Sequence, residues 1–318
     1  MFETPVLFII FNRPDVTFRV FDRIRQIRPR YLFIAADGPR KDRANEEELC
    51  RQTRSIVNRV DWECELKTLL RSENAGCGIG VSEAITWFFS HVGKGIILED
   101  DCLPDLSFFD YCEQLLQYYD QEERIMHIGG TNSQFGKKRN KYSYYFSKYP
   151  HIWGWATWKR AWDHFRFDLS AIDTANIAEK VFADYTFSAE EKKYWLNSFN
   201  TMKNKGIDTW DIQWTFACWS NNGATIVPNV NMISNLGFAD NATHTRSEVS
   251  LLANLHTDSM PIIIHPPTIQ IDVKADDLTF RKYNLSQPSF YAMVRNRISQ
   301  LVPGFMKAQI KKYLKDTH

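Results

Sequence analysis

Four short apolar runs, spaced by helical stretches and closed by polar turns, fill the first hundred residues and limit the fold more than any other feature. The runs are 6–11, 32–36, 65–70 and 95–98. Between the first two, Val16, Val20, Ile24 and Ile27 recur at helical spacing behind Asp15, which is placed to cap them. Residues 45–60 and 81–89 read as two further helices, the first with Leu49, Ile56, Val57 and Val60 inward. Strand and helix alternating over connections this short build βαβ units, and so an α/β fold: a Rossmann-like, mostly parallel sheet with helices on both faces. Ligands of such sheets bind outside the carboxyl ends of the strands. Asn12-Arg13, Asp37-Gly38 and Glu99-Asp100-Asp101 all stand at such ends, so polar groups from three strands are expected in one crevice.

The acidic triplet is the strongest chemical signal. Three adjacent carboxylates repel one another unless water or a cation neutralises them. Hard divalent cations take oxygen ligands, and Mg²⁺ is usually held by one or two carboxylates plus substrate phosphates. The apolar run 95–98 implies a buried strand feeding the triplet into the crevice. That favours Mn²⁺ or Mg²⁺ bridging to a diphosphate over an acidic surface turn. Gly76-Cys77-Gly78-Ile79-Gly80 follows Asn74 and opens a helix. It is neither a dinucleotide fingerprint nor a P-loop, and reads either as backbone approaching a phosphate or sugar, or as a tight turn. Trp210-Asp211-Ile212-Gln213-Trp214 sets a carboxylate among apolar neighbours. Such an Asp suits a general base for a hydroxyl, and equally a helix N-cap. Residues 235–238 and 242–245 read as a loop able to close over a ligand, where His244 could touch metal or phosphate.

After residue 120 the pattern changes. Strands are expected at 125–128 and 142–146, then the Trp-rich run 152–158 and a helix through Trp162. Residues 170–206 read as helical, with Glu190-Glu191-Lys192-Lys193 as a solvated face, and 221–237 as loop. From Gln287 to His318, six Lys/Arg stand against one acid. An apolar stripe (Phe290, Met293, Val294, Ile298, Leu301) runs through the same tail. Two readings stay open for it: a helix lying in an anionic membrane interface, or a helix docked on the sheet.

Composition excludes several classes. With 318 residues, 44% apolar and 24% charged, the chain can fill about two domains and is neither disordered nor fibrous. A net charge of +1 gives no general attraction to nucleic acid. Six cysteines without C-x-x-C spacing speak against zinc and fit reduced thiols. No signal peptide and no run of roughly 18 apolar residues is found, so the expected location is cytoplasmic, with the tail as a peripheral contact to the inner face of the membrane.

Taken together these residues resemble the inverting, metal-dependent nucleotide-sugar glycosyltransferases of GT-A fold. They are most similar to the N-acetylglucosaminyltransferase I group and the related bacterial sugar transferases of polysaccharide loci. The points of likeness are Phe11-Asn12-Arg13, Asp37-Gly38, Leu98-Glu99-Asp100-Asp101, Gly154-Trp155 with Trp162, and Trp210-Asp211, in the family's order over about residues 5–245. The resemblance implies transfer of a sugar from a nucleotide-diphosphate donor, expected to be UDP-linked, to a glycan or glycolipid acceptor in surface polysaccharide synthesis. It implies a donor site of Asn12, Arg13, Asp37, Asn74, Gly76, Glu99, Asp100 and His244, with Asp37 accepting from the base. Asp101 would ligate Mn²⁺ or Mg²⁺, and Asp211 would be the catalytic base. Trp155, Trp210 and Trp214 would wall the acceptor site. The corresponding division is a nucleotide-sugar-binding half (1–120), an acceptor-binding half (121–245), a C-terminal extension (246–286) and a basic amphipathic tail (287–318). The chain departs from the family in its Trp-Asp-Asp-Trp run, whose second Trp stands one residue further on. It also lacks the donor-contacting His ahead of the triplet. The alternatives are a sugar nucleotidyltransferase, which normally has a basic glycine-rich loop after the first strand, and a non-catalytic carbohydrate-binding protein.

Overall fold

The computed structural model describes residues 1–204, 207–237 and 255–284. Eight strands form one mixed sheet: β1 (Val6–Ile10), β2 (Tyr31–Ala36), β3 (Glu65–Leu70), β4 (Lys94–Glu99), β6 (Ile125–Gly129), β7 (Tyr144–Ser147), β8 (Trp155–Trp158) and β9 (Ala224–Pro228). Two short strands, β5 (Cys102–Pro104) and β10 (Ile233–Asn235), pair antiparallel beside it. The strand order is β3-β2-β1-β4-β8-β6-β9-β7, with β1, β2, β3 and β4 parallel to one another and β6 parallel to β9. Strands β8 and β7 run against their neighbours, so six strands point one way and two the other. The sheet passes from the first half of the chain to the second without a break.

Alternation along β1 shows why both faces are covered. Val6, Phe8 and Ile10 face a core built with α1 (Pro14–Ile27) and α4 (Ser107–Tyr118); Leu7 and Ile9 face a second core with α3 (Cys77–Phe89) and the tryptophans. Helix α1 starts on Pro14 and buries Thr17, Val20, Phe21 and Ile24; Asp15 lies inside its first turn and is not its cap. Helix α2 (Glu46–Arg54) turns Cys50 and Thr53 inward and leaves Leu49 37% exposed, the reverse of the expectation for Leu49.

The expected long helix over 170–206 is two, α6 (Thr174–Asp184) and α7 (Ala189–Lys203), after the single turn α5 (Lys159–Trp162). Glu191 is not on a solvated face. It closes a capping box with Ser188 and lies buried, 2.9 Å from the buried Lys148 Nζ, which also donates to the Thr186 carbonyl at 2.6 Å. Helix α8 (Asp211–Ser220) packs Trp214 and Trp219 into the second core. The segment 255–284 runs back along β7 and ends in α9 (Val273–Thr279) and a turn of π-helix. There the buried Asp276 accepts from Ser147 Oγ at 2.5 Å and Lys148 N at 3.1 Å. His244 and the basic tail lie outside the described residues, and among those described no helix is long and apolar enough to cross a membrane.

Candidate active site

The carboxyl ends of β1, β2 and β4 form one rim of the sheet, and the expected polar residues gather there. Asn12 donates to Glu46 Oε1 at 2.9 Å, and Arg40 binds the same carboxylate through its backbone N at 2.7 Å. Asn12 therefore ties the end of β1 to the start of α2. Burial pushes the Glu46 carboxyl up, but its bonds to Arg40 and Asn12 outweigh that and hold it below the ordinary range. Asp37 accepts at Oδ1 from Gly38 N and Ala75 N, both 2.9 Å, and at Oδ2 from Asn74 Nδ2 at 2.8 Å and Gly76 N at 3.2 Å. Both oxygens of Asp37, the residue expected to accept from a nucleotide base, accept here from the protein's own groups. It clamps the β3–α3 loop, and Asn74 serves the same clamp.

At the end of β4 the acidic triplet meets Arg13. Its guanidinium spans Asp100 and Asp101, donating from Nε to Asp100 Oδ2 at 3.3 Å, from Nη2 to Asp100 Oδ1, and from Nη2 to Asp101 Oδ2 at 3.0 Å. Burial works against the charge of Arg13, and the two carboxylates more than offset it. Glu99 is left over. Burial, then the charges of Asp101 and Asp100, push its carboxyl up. The Cys77 thiol, raised mainly by burial, also feels the charges of Glu99, Asp211, Asp208 and Asp101. The segment after β10 closes on the same place. Leu236 N donates to the Asp101 carbonyl at 2.8 Å, and a Cβ on Gly237 would stand 2.2 Å from Asp101 Oδ2.

Asp208 was not anticipated. Its carboxylate accepts from Cys77 N at 3.0 Å and Gly78 N at 2.7 Å, the first free amides of α3. Gly76, at φ +85°, is required because a Cβ there would lie 2.6 Å from Asp208 Oδ2. The glycine turn thus presents its amides to a protein carboxylate, and the reading of those amides and of Gly76 as a phosphate or sugar contact is corrected. The available signal was an acid three positions before Asp211, in a loop leading to a helix. Asp211 itself is the first residue of α8, and Trp210 precedes it, so Asp211 is not an N-cap. Its Oδ1 accepts from the Thr209 hydroxyl and from Ile212 N at 2.9 Å, while Oδ2 has no hydrogen bond to a described residue.

The three tryptophans expected at the acceptor site are core. Trp155, Trp210 and Trp214 are 0%, 2% and 0% exposed, and a wall of a binding site needs surface. Trp155 stacks on Trp210 with centroids 5.7 Å apart and on His127 at 4.8 Å, and Trp214 Nε1 donates to His127 Nδ1 at 3.1 Å.

A hard divalent cation fits the donor set only in part. Oxygen ligands and excess negative charge suit it, and Asp101 Oδ1 accepts only a long contact from the Cys102 thiol at 3.5 Å. Yet among the described residues no three His, Cys, Asp or Glu side chains form a ready cage. The protein would supply the minority of the ligands and a bound anion the rest.

Fold and rim together define a Rossmann-like α/β protein with an acid-lined crevice at the carboxyl ends of its parallel strands. No family model and no curated protein sequence matches the chain. Among solved structures it is similar to a cytidylyltransferase from Leptospira borgpetersenii (10% identity, 64% of this chain and 74% of that one, TM-score 0.31). It is also similar to residues 1–349 of S. aureus TarS (9% identity, 50% and 48%, TM-score 0.33) and to a UDP-glucose pyrophosphorylase complexed with UDP-glucose (11%, 51% and 78%, TM-score 0.32). Likenesses this loose leave function to the geometry of the rim.

Proposed function

We propose that the protein is a metal-dependent inverting glycosyltransferase, taking a sugar from a nucleotide-diphosphate donor, with UDP the first choice, to a glycan or lipid-linked acceptor. The observation that carries this reading is Asp211: one oxygen held by Thr209 and Ile212, the other unclaimed by any described residue, with its charge felt at Glu99 of β4. A fixed carboxylate with one open oxygen can take a proton from an acceptor hydroxyl as that oxygen attacks the anomeric carbon. Attack from the side opposite the diphosphate inverts the centre in one displacement. Asp101 would hold Mn²⁺ or Mg²⁺ with the donor's diphosphate, and the cation would offset the charge of the leaving group. Arg13 keeps Asp100 and Asp101 in place and balances part of their charge before any donor arrives.

Asp211→Asn keeps the shape of the side chain but cannot take a proton at neutral pH. Transfer should fall about 10² to 10⁴-fold while affinity for UDP with Mn²⁺ stays near the parent's. Asp101→Ala should show the opposite order, losing metal-dependent UDP binding first. Calorimetry and a sugar-transfer assay measure both. Near-parent transfer by Asp211→Asn would remove the base assignment, and release of inorganic diphosphate in place of UDP would mark a nucleotidyltransferase.

A further inference from the structure

The rim that carries the crevice continues to the far edge of the sheet. Strand β7 starts opposite Pro228, the end of β9, so the loop before β7 stands at the same end of the sheet as Glu99. Four strand spacings separate β4 from β7, about 19 Å at the usual 4.7–4.9 Å per strand. That loop reads Gly136-Lys137-Lys138-Arg139-Asn140-Lys141, four cations in five residues with no acid among them. Lys137, Lys138 and Lys141 are exposed. Asp272 is bonded to this loop, but Arg139 takes both its oxygens, each at 3.1 Å, so it does not neutralise the lysines.

Apolar side chains lie beside these charges. Ser143, two residues past Lys141, bonds to the segment 262–264 three times: its N to the Ile264 carbonyl at 3.0 Å, its Oγ to the Ile262 carbonyl at 3.1 Å, and Ile264 N to Oγ at 2.8 Å. Ile262 and Ile264 are 72% and 54% exposed. Backbone bonding holds this segment in place, so the outward isoleucines are a fixed feature of the surface. Lys282 Nζ lies 5.0 Å from the centroid of the Phe135 ring at the start of the loop, two residues before the described chain ends.

We propose that the face formed by Lys137, Lys138, Lys141, Ile262 and Ile264 docks the folded body on an anionic lipid surface. Lysines beside an anionic bilayer gain from its surface potential, and aliphatic side chains beside them gain by entering the headgroup boundary. The face stands on its own observations and does not depend on the sugar-transfer reading. If that reading also holds, docking turns the crevice rim toward the membrane and makes a lipid-linked acceptor the natural substrate.

The test is co-sedimentation of the full chain with vesicles of neutral phosphatidylcholine, and of phosphatidylcholine with a third phosphatidylglycerol, at low and physiological salt. The parent should partition to the anionic vesicles and release with salt. At about fivefold per lysine, K137Q/K138Q/K141Q should weaken partition on the order of 100-fold. I262S/I264S should weaken it roughly tenfold, with less change in salt dependence. All five positions are exposed, so circular dichroism and the melting curve should match the parent's. Parent-like sedimentation of both variants would overturn the proposal, leaving any binding to residues 287–318. So would equal partition to neutral vesicles, or loss of heparin binding in the lysine variant with vesicle binding unchanged.

Discussion

Trp155 and Arg13 show what one residue reveals before folding and what it conceals. Arg13 and the triplet were legible because a position just past a buried strand is a topological fact, and topology follows from the order of the runs. The direction of Trp155 was not, since β8 is buried on both faces and nothing local says so. Its ring ends between His127 and Trp210, where it contributes to packing. Trp155→Ala should therefore lower unfolding free energy by about 3–5 kcal/mol in urea titration, the range for removing a large buried aromatic. An acceptor-wall residue would instead raise the KM for acceptor with stability unchanged, and that outcome would reverse the correction.

Elements whose stability is local were read well, and those stabilised from a distance were not. β3 falls on its expected bounds, and α3 runs through the expected 81–89, starting earlier at Cys77. β5 and β10, three residues each, are strands because Asn235 pairs with Cys102 far away in sequence, and β9 hides in a stretch of Gly, Asn and Pro. The same holds at the N-terminus of α3, whose cap comes from Asp208 rather than from its own sequence. Asp208→Ala should cost about 1–2 kcal/mol, the usual penalty for losing a helix cap, with the urea m-value unchanged. Asp208→Asn, which keeps one accepting oxygen, should lose less. If neither variant shifts the midpoint, water serves those amides as well as the carboxylate does.

Across the whole molecule, buried titratable groups set how stability varies with pH. Burial pushes the Asp276 carboxyl up from 3.8 to about 7, despite the bonds from Ser147 and the charge of Lys148. The folded state then keeps a proton that the unfolded chain has released, so stability falls as pH rises from about 4 through 7. Burial pushes His127 down to about 3 and His151 to about 4, from 6.5. Their contribution is complete above 6.5 and is lost as pH falls toward those values. The trends oppose each other between about pH 4 and 6.5, and each acts alone outside that window. The melting temperature should therefore decline as pH rises from 6.5 through about 7, and decline again as pH falls below 4. Asp276→Asn should lessen the alkaline decline, to which the raised Glu99 carboxyl also contributes, and a parent profile already flat there would show that Asp276 does not carry this charge cost.

The bond between Asp208 and the start of α3 also has a consequence in time. Cys77 and Asp208 are 131 residues apart. At about 5–20 residues per second, a ribosome takes roughly 7 to 26 s to travel from one to the other. For all but the first 24 residues of that stretch the nascent chain already contains Arg13 and the whole acidic triplet, while the helix beside them waits for its capping carboxylate. Asp211 emerges three residues after Asp208, in the same fraction of a second. The partner that completes the helix and the group proposed to take the proton are thus delivered together, and the crevice is complete only once about two thirds of the 318 residues have been made.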